Sequence, residues 1–286
     1  MEALREELTD LLGDRAPAIR PLAGGDIGQS WCVRAAGQDF FVKTYAGSEE
    51  PATAASMVAA EARGLAWLAQ PAAIRVPEVK QVSERLLVLE WIEPGQPSRA
   101  TDEALGRGLA ALHRAGPASF GLESGNFIGR LPQANAAGES WADFYATRRL
   151  EPLLARAREQ GLVSREMDRL ASLLLARLPE IVGPDEPPAR LHGDLWGGNW
   201  ICAENGDPVL IDPAVYGGHR EIDLAMMRLF GGFGDRVFAT YRESHPLAAG
   251  ADERVPLYQL DPLLVHLNLF GASYAGRVEH ALRVYA

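Results

Sequence analysis

The sequence predicts an α+β protein of two lobes, a small sheet-rich lobe followed by a larger, mostly helical one. Short β-type runs and one amphipathic helix fill the first third of the chain. A Pro-Gly-Gln-Pro break follows at residues 94–97, and beyond it apolar residues recur mainly at helical spacing. We therefore expect an N-terminal lobe over residues 1–92 and a C-terminal lobe over residues 93–286.

The composition is that of a soluble globular protein. The chain has 286 residues, of which 47% are hydrophobic and 23% charged, which excludes a disordered or collagen-like protein. It carries 28 Lys and Arg against 38 Asp and Glu, a formal net charge of −10. Because non-specific nucleic-acid binding needs a dense cationic surface, we expect no nucleic-acid partner. Any bound anion must be held by a local arrangement of donors.

Targeting features indicate the cytoplasm. The segment 1–8 is acidic and amphipathic, whereas a signal peptide needs a basic start and an apolar core. No apolar run approaches the roughly 18 residues of a membrane helix, so no membrane partner is expected. Cys32 and Cys202 lie far apart and match no metal-ligand spacing. A reduced, cytoplasmic setting is the simplest interpretation.

The N-terminal lobe is predicted as a small sheet with one long helix. Residues 35–38 form a hairpin-like turn signal, and the run Phe-Phe-Val-Lys at 40–43 is a compact strand that ends in a charge. In the long helix, Glu61 shares one face with apolar residues such as Leu65. The predicted elements are a surface helix over 3–12, strands with turns within 20–45, the long helix over 53–69, and strands over 76–82 and 85–92.

The C-terminal lobe is predicted to be mostly helical, with one short strand. Leu105, Leu109 and Leu112 form one apolar stripe at helical spacing. An apolar β run over 209–211 ends at Asp212. The predicted helices cover 102–114, 141–160 and 165–178, and helices resume from residue 222.

A group of acidic and amide residues in this lobe is typical of phosphoryl transfer. Asp194 is followed five residues later by Asn199, and a second acid, Asp212, ends the short strand. A carboxylate such as Asp194 can accept the proton of an attacking hydroxyl. Mg²⁺ prefers oxygen ligands, which Asn199 and Asp212 can supply. A bare Asp-x4-Asn is also compatible with a turn or helix cap; His192 and two upstream elements favour the catalytic interpretation.

Two features of the N-terminal lobe complete the pattern of a protein-kinase-like fold. Lys43 ends a strand downstream of Gly24 and Gly25, where it can reach phosphates beneath a glycine turn. Glu61 lies on the apolar face of the predicted helix and is therefore expected to be buried. Because an unpaired buried carboxylate is costly, Lys43 is its expected partner. A strand lysine paired with a helix glutamate is the ion pair of the kinase fold. The alternative for Lys43 is a solvated residue at the end of a strand, and for Glu61 a boundary position where its carboxylate reaches water. The alternative for Gly24 and Gly25 is a plain hairpin turn.

These residues resemble the fructosamine kinase family, also called ketosamine kinases. The resemblance spans nearly the whole chain. Its most specific parts are Trp196 after Asp-Leu and the string His-Arg-Glu-Ile-Asp-Leu-Ala-Met at 219–226. Aminoglycoside phosphotransferases and choline kinases share the Asp…Asn…Asp core but not these strings. The other matching segments are 24–27, 41–43, 61–65, 120–129, 191–199, 211–218, 229–233 and 267–271.

The resemblance implies a kinase that uses ATP and Mg²⁺ to phosphorylate the 3-hydroxyl of ketosamines, which are small-molecule or protein-bound adducts of sugars with amines. Phosphorylation makes the adduct labile, so the implied role is deglycation. By this resemblance Asp194 is the catalytic base, and Asn199 and Asp212 hold the metal. The implied nucleotide-binding residues are Gly24, Gly25, Lys43, Glu61, Glu90, Trp91 and Ile92, of which the last three form the adenine-binding segment.

Residues near the motif are assigned substrate or structural roles. Trp196 is expected to stack on the sugar or its amine substituent, with a core position as the alternative. His219 and Glu221 are expected to line the acceptor pocket, unless their loop satisfies its own polar groups. Asp223 is well placed as a helix N-cap, and we expect it to brace the catalytic loop together with His192 by accepting backbone N–H bonds.

Two departures from the family pattern bear on the site. Gly28 stands where the family more usually has Ser or Asn, and Gly217 stands where a second Tyr is common. The missing Tyr bears most on substrate preference. Two other functions stay open: a small-molecule kinase of the aminoglycoside or choline kinase type, and a catalytically inactive kinase-fold module used for binding. The intact acidic, amide and lysine residues argue against the second.

Overall fold

A computed structural model of the chain describes residues 2–22, 28–45 and 51–285. The strands are β1 (Ala18–Pro21), β2 (Gln29–Ala35), β3 (Gln38–Thr44), β4 (Val79–Val82), β5 (Leu86–Glu90), β6 (Asn126–Ile128), β7 (Leu131–Gln133), β8 (Ala189–Leu191), β9 (Trp200–Cys202), β10 (Pro208–Leu210) and β11 (Tyr216–Gly218). The α-helices are α1 (Glu2–Leu12), α2 (Pro51–Ala69), α3 (Arg99–Arg114), α4 (Trp141–Tyr145), α5 (Glu151–Glu159), α6 (Arg165–Ile181), α7 (Glu221–Phe230), α8 (Asp235–Ser244), α9 (Val255–Tyr258), α10 (Leu260–Phe270) and α11 (Ala275–Arg283).

A five-stranded antiparallel sheet occupies the N-terminal third, in the order β1-β2-β3-β5-β4. The turn predicted at 35–38 joins β2 to β3, with Ala35 paired to Gln38. Its central residues Ala36 and Gly37 have φ of 49° and 80°, the positive values of a two-residue turn whose twist matches the flanking strands. The predicted strand over 76–82 begins only at Val79. Proline at 77 has no N–H to donate to a neighbouring strand, which accounts for the later start.

The sheet is covered by one helix on each face. Alternate residues of a strand face opposite sides, so Val42 and Val88 pack with Leu8 of α1 in one apolar cluster. Leu87 and Leu89 pack with residues of α2 in another. The helix α2 is therefore held against the sheet by burial of its apolar stripe.

The C-terminal part is mostly helical, as the sequence predicts. The predicted helix over 141–160 is continuous from Trp141 to Glu159 and contains a π-helical segment, Ala146–Leu150. The helix α3 begins three residues earlier than predicted, because Ser98 and Thr101 form a capping box at its start. A short 3₁₀ turn, Ala272–Tyr274, precedes α11. Over residues 2–22, 28–45 and 51–285, no helix has the length and apolar character to cross a bilayer.

Four short strands place the two acidic loops side by side. The loop 192–199 runs from β8 to β9, and the loop 211–215 runs from β10 to β11. The strand β8 pairs with β11, and β9 pairs with β10, each antiparallel. The two strand pairs therefore fix both ends of both loops.

The lobe boundary at 92/93 stays a prediction. The strand β5 ends at Glu90, and the helix α3 begins at Arg99.

Candidate active site

The side chains of Asp194, Asn199 and Asp212 converge where the two loops meet. Asn199 Nδ2 donates to the backbone oxygen of Asp194 at 2.8 Å and to its carboxylate Oδ2 at 3.0 Å. The same nitrogen lies 3.5 Å from the backbone oxygen of Asp212. Asn199 is buried, whereas both acids are half-buried. The amide thus ties the two loops together and leaves the carboxylates partly open to the cleft.

A buried carboxylate, that of Asp223, holds the start of the 192–199 loop. Asp223 is the third residue of α7 and not, as the sequence predicted, its N-cap, because the helix already begins at Glu221. Its Oδ2 accepts the backbone N–H of His192 at 2.8 Å, and its Oδ1 accepts that of Gly193 at 2.9 Å. His113 Nε2 lies 3.1 Å from Oδ2 and must donate there, since a carboxylate can only accept. Burial raises the pKa of Asp223, but its hydrogen bond with His113 leads the effects that bring the pKa below its ordinary value.

His192 connects the two loops through both ring nitrogens. Nδ1 accepts the backbone N–H of Asp194 at 3.2 Å, so Nε2 carries the proton and donates to the backbone oxygen of Ile211 at 2.8 Å. Burial lowers the pKa of His192, which favours this neutral form. The backbone N–H of Ala214 also donates to the His192 oxygen at 2.9 Å. His192 therefore fixes the spacing of the loops.

Two backbone positions at this junction have left-handed conformations. Gly193 has φ of 83°, and a Cβ there would lie 2.1 Å from the backbone oxygen of Ala214. The close approach of the 192–199 and 211–215 loops therefore requires glycine at this position. Asp212 has φ of 52°, a region that non-glycine residues visit at a cost of about 1–3 kcal/mol. The contacts around Asp212 maintain this conformation.

Lys43 joins the sheet, α2 and the acidic loops. Its Nζ lies 3.1 Å from Glu61 Oε2 and 3.0 Å from Asp212 Oδ1. The hydroxyl of Tyr45 donates to Glu61, and the ring of Tyr45 lies 5.2 Å from the Lys43 ammonium. Lys43 and Glu61 are buried, so they stabilise each other's charges in a poorly solvated position.

The pKa shifts in the site follow from burial and the distribution of charge. Burial and the nearby carboxylate of Asp212 raise the pKa of Asp194 well above its ordinary value. Burial disfavours charge on Lys43, yet Asp212 and Glu61 raise its pKa well above the usual range. Burial also opposes ionisation of Asp212, but Lys43 outweighs it and lowers the pKa. At Glu61 burial outweighs the attraction of Lys43 and raises the pKa to about 7.

The predicted adenine-binding segment 90–92 follows β5. The Glu90 carboxylate accepts hydrogen bonds from Arg75 at 2.5 Å and from the backbone N–H of Glu78 at 3.2 Å, so both of its oxygens have partners within the protein. Trp91 Nε1 donates to Glu93. Ile92 is buried in a small apolar cluster with Ala203 and Val209, against which the half-buried Ile201 and Ile211 pack. The predicted Gly24 and Gly25 lie outside the described residues.

The three predicted acceptor-site residues lie in different environments. Trp196 is 40% exposed and presents a large aromatic surface two residues after Asp194. Glu221 is buried and receives two hydrogen bonds from Arg254, at 2.6 and 2.9 Å. His219 is buried with its ring stacked on Tyr258, and burial lowers its pKa to about 4. The assignment of His219 and Glu221 to the acceptor pocket stays a prediction, and their contacts favour a structural role.

Sequence reasoning missed several residues of the site. Tyr45 carries no local signal, because its contact with Glu61 joins positions 16 apart. His113 reaches Asp223 across 110 residues. Asn126 donates to the backbone oxygen of Val215 at 2.8 Å, close to the acidic loop. The motif Asn-x-Ile-Gly was visible in the sequence, but its position beside the site was not.

Comparison with known proteins decides the family. A sequence model of the family described as fructosamine kinase matches residues 1–285. The chain belongs to the fructosamine kinase family.

Relatives named as ketoamine kinases match the chain over most of its length. A probable ketoamine kinase of Synechocystis sp. is 38% identical over 99% of this chain and 95% of its own. One of Thermus thermophilus is 41% identical over 93% of each chain. The chloroplastic protein-ribulosamine 3-kinase of Arabidopsis thaliana is 35% identical over 93% of this chain and 82% of its own.

Solved structures of other proteins share the fold of this chain. A protein assigned as a fructosamine-3-kinase from Thermobifida fusca has a TM-score of 0.91 and 38% identity, covering 100% of this chain and 99% of its own. An aminoglycoside phosphotransferase solved with ADP and hygromycin B has a TM-score of 0.66 at 16% identity, covering 99% of each chain, and so shows the fold alone. The predicted α+β, two-lobed, protein-kinase-like fold is confirmed.

The two departures from the fructosamine kinase pattern have steric reasons. A Cβ at Gly28 would lie 2.7 Å from the backbone oxygen of Thr44, so Ser or Asn does not fit this packing. A Cβ at Gly217 would lie 2.5 Å from Pro117 Cγ and 2.6 Å from the backbone oxygen of Ser119. A second tyrosine would therefore require the 117–119 segment to move.

Proposed function

We propose that the protein is an ATP-dependent kinase that transfers a phosphoryl group to the 3-hydroxyl of ketosamines and so promotes deglycation. The observation that carries the proposal is the convergence of Asp194, Asn199, Asp212 and Lys43 in a chain of the fructosamine kinase family. These groups are those that phosphoryl transfer needs: a base, oxygen ligands for a cation and a phosphate-binding lysine.

Asp194 is the proposed general base. Asn199 Nδ2 donates to one of its carboxylate oxygens and orients the group, so that the carboxylate can accept the proton of a hydroxyl bound in the cleft. The substrate hydroxyl gives its proton to Asp194 as its oxygen forms a bond to the γ-phosphorus, and the bond from that phosphorus to ADP breaks. A carboxylate aimed in this way positions the hydroxyl as well as deprotonating it.

Asn199 and Asp212 fit a magnesium ion bound together with a nucleotide. The described side-chain hydrogen bonds of Asn199 come from its nitrogen, which leaves its oxygen for a cation. No cluster of three His, Cys, Asp or Glu suited to a metal exists in the part of the chain that the structure describes. That is compatible with Mg²⁺, which is usually held by one or two protein groups and by phosphates. Bound ATP would supply the phosphoryl group, and the Mg²⁺ bound with it would neutralise part of the negative charge of the phosphates.

Lys43 is the proposed phosphate-binding residue. Its ammonium is held by Glu61 at 3.1 Å and points to Asp212 at 3.0 Å, so it is directed into the acidic loops. The aliphatic surface of the half-buried Ile201 and Ile211 near Ile92 suits an adenine ring, with the backbone of 90–92 as the polar edge. Gly24 and Gly25 remain proposed as the phosphate-covering turn.

The proposed acceptor is a ketosamine, free or attached to a protein. The relatives are named ketoamine kinases, and the plant relative is named for protein-bound ribulosamine. The 40% exposure of Trp196 beside the proposed base supports its role as a stacking surface for the sugar or its amine substituent. An exposed stacking site is compatible with an acceptor carried by a larger molecule.

The test is a kinase assay with ketosamines of defined sugar. The protein is incubated with Mg²⁺-ATP and ribose-, erythrose- or glucose-derived ketosamines, ADP release is measured, and the product is examined by phosphorus NMR. We expect ketosamine-dependent ADP release, a 3-phosphate product, and a loss of about 10³-fold or more in Asp194→Ala with ATP binding retained. ADP release that is the same with choline or an aminoglycoside and absent with every ketosamine would contradict the proposal.

A further inference from the structure

The β6–β7 hairpin contacts two parts of the candidate site: the apolar cluster of α2, the helix that carries Glu61, and the segment that follows Asp212. Its strands pair antiparallel around a turn in which Gly129 has φ of 58°. Asn126 and Ile128 are buried, whereas Phe127 between them is half-buried. Because neighbouring residues of a strand face opposite sides, Phe127 contacts a different part of the protein from the other two.

One side of the hairpin holds the chain that leaves Asp212. Asn126 Nδ2 donates to the backbone oxygen of Val215 at 2.8 Å. Gln133 Nε2 donates to Asn126 Oδ1 at 3.0 Å and lies 3.4 Å from the backbone oxygen of Ala214. Both backbone oxygens belong to the segment directly after Asp212, so the hairpin determines the direction in which this segment leaves the acidic loop.

A buried polar network maintains the orientation of Asn126. Asn135 Nδ2 donates to Asn126 Oδ1 at 2.8 Å, and Arg149 Nη2 donates to Asn135 Oδ1 at 2.7 Å. Arg149 belongs to the π-helical segment and is almost fully buried. A buried polar network in which the members depend on each other favours one arrangement of the Asn126 side chain.

The other side of the hairpin meets α2. Phe127 packs against the apolar cluster that α2 forms with the sheet. Beside this contact an open groove of about 800 Å³ separates α2 from the hairpin, lined by Ala55, Ala59 and Arg63 on one side and by Pro132 on the other. Asn126 and Phe127 also line this groove, and Phe127 is the hairpin residue that packs against the apolar cluster of α2.

The helix α2 carries Glu61, and it also touches the acidic loop. A Cβ at Gly64 would lie 3.4 Å from Pro213 Cγ, so α2 lies close to the residue after Asp212. A shift of α2 against this loop would move Glu61 away from Lys43, or would draw the Lys43 ammonium away from Asp212. Both distances are near 3 Å, where a displacement of about 1 Å ends a hydrogen bond.

We propose that the β6–β7 hairpin positions Glu61 relative to Asp212, with Phe127 as the positioning residue on the side of α2 and Asn126 as the positioning residue on the side of the acidic loop. This inference rests on the proposed roles of Lys43, Glu61 and Asp212. The hairpin belongs neither to α2 nor to the loop that contains Asp212, yet it contacts both.

The first test compares Phe127→Ala with Phe238→Ala, which removes another half-buried phenylalanine, on α8. We expect Phe127→Ala to lower kcat/KM for ATP about tenfold and to leave KM for the ketosamine within about twofold. Phe127→Leu retains apolar contact and should recover most of the activity. An equal loss in Phe127→Ala and Phe238→Ala would overturn the inference, because it would indicate a general effect of lost packing.

The second test is a double-mutant cycle with Glu61→Gln. If Phe127 acts through Glu61, Phe127→Ala should cost much less in the Glu61→Gln background than in the wild type. Additive losses would overturn the inference and leave the proposed role of Glu61 intact. An unchanged activity in Glu61→Gln would overturn both, since the ion pair would then have no catalytic part.

The third test needs no nucleotide or substrate. Amide hydrogen exchange of the free protein should show faster exchange in α2 for Phe127→Ala than for Phe238→Ala. Phe127→Val, a smaller truncation, serves in the same measurement if the alanine variant does not fold. Exchange in α2 that is unchanged in the folded variant would overturn the inference, and selective loss of protection in α2 would support it.

Discussion

The buried carboxylate of Asp223 offers a sharp test of how the catalytic loop is held. The change is Asp223→Asn, which keeps the shape and removes the charge. In the structure Oδ1 accepts one backbone N–H, and Oδ2 accepts another together with His113 Nε2. An amide has one acceptor oxygen, so in either orientation its NH₂ group faces at least one of these buried donors.

The expected loss of stability follows from these contacts. A hydrogen bond to a charged group contributes about 1.5–3 kcal/mol, and a buried donor left without a partner costs about 1–3 kcal/mol. Relief of the desolvation of the charge offsets part of this, so we expect Asp223→Asn to lower the free energy of unfolding by about 3 kcal/mol. Asp252→Asn is the control, because Asp252 is exposed and its pairs with Arg228 and Arg242 should contribute about 1 kcal/mol or less.

The assay is urea unfolding at several pH values. The pKa of Asp223 lies below its ordinary value of 3.8, so its stabilising contribution is present above that value and declines as pH falls through the folded-state pKa. The difference between wild type and Asp223→Asn should therefore be constant from about pH 5 to 8 and narrow below about pH 4. A difference no larger than that of Asp252→Asn, or one that widens at low pH, would refute the assignment.

Three further changes address other parts of the site. Tyr45→Phe keeps the ring beside Lys43 and removes the hydrogen bond to Glu61, so kcat/KM for ATP should fall about tenfold in an ADP-release assay; an unchanged value would show that Tyr45 does not position the pair. Trp196→Ala should raise KM for the ketosamine about tenfold with KM for ATP unchanged, and the reverse pattern would place Trp196 with the nucleotide. Asp212→Ala should abolish turnover at every Mg²⁺ concentration, and activity that still depends on Mg²⁺ as in the wild type would remove Asp212 from the metal site.

Much of the fold could be predicted because its signals are local. The turn at 35–38 depends on a glycine at a position of positive φ, and the stripe of α2 depends on the helical period. The predicted starts of α3 and β4 are wrong because a capping residue or a proline, and not the hydrophobic period, decides where these elements begin. The capping box of Ser98 extends α3 by three residues, and Pro77 delays β4.

The candidate site was only partly predictable. Asp194, Asn199 and Asp212 are close in sequence, and their spacing is typical of the chemistry, so they could be named together. His219 and Glu221 belong to an equally specific string, but their side chains are used within the protein. A sequence string cannot distinguish a residue that meets a substrate from one that holds the loop, because both are constrained by the same site.

The amino-acid order alone determined the periodicity of the helices, the two-lobed fold class and the residue types that phosphoryl transfer requires, since each depends on spacing over a few residues. Tertiary structure decided that Tyr45 supports Glu61, that His113 supports Asp223 and that the β6–β7 hairpin lies between α2 and the acidic loop. These contacts join residues 16 to 110 positions apart, and such pairs become neighbours only when burial of the apolar faces has set the elements against one another.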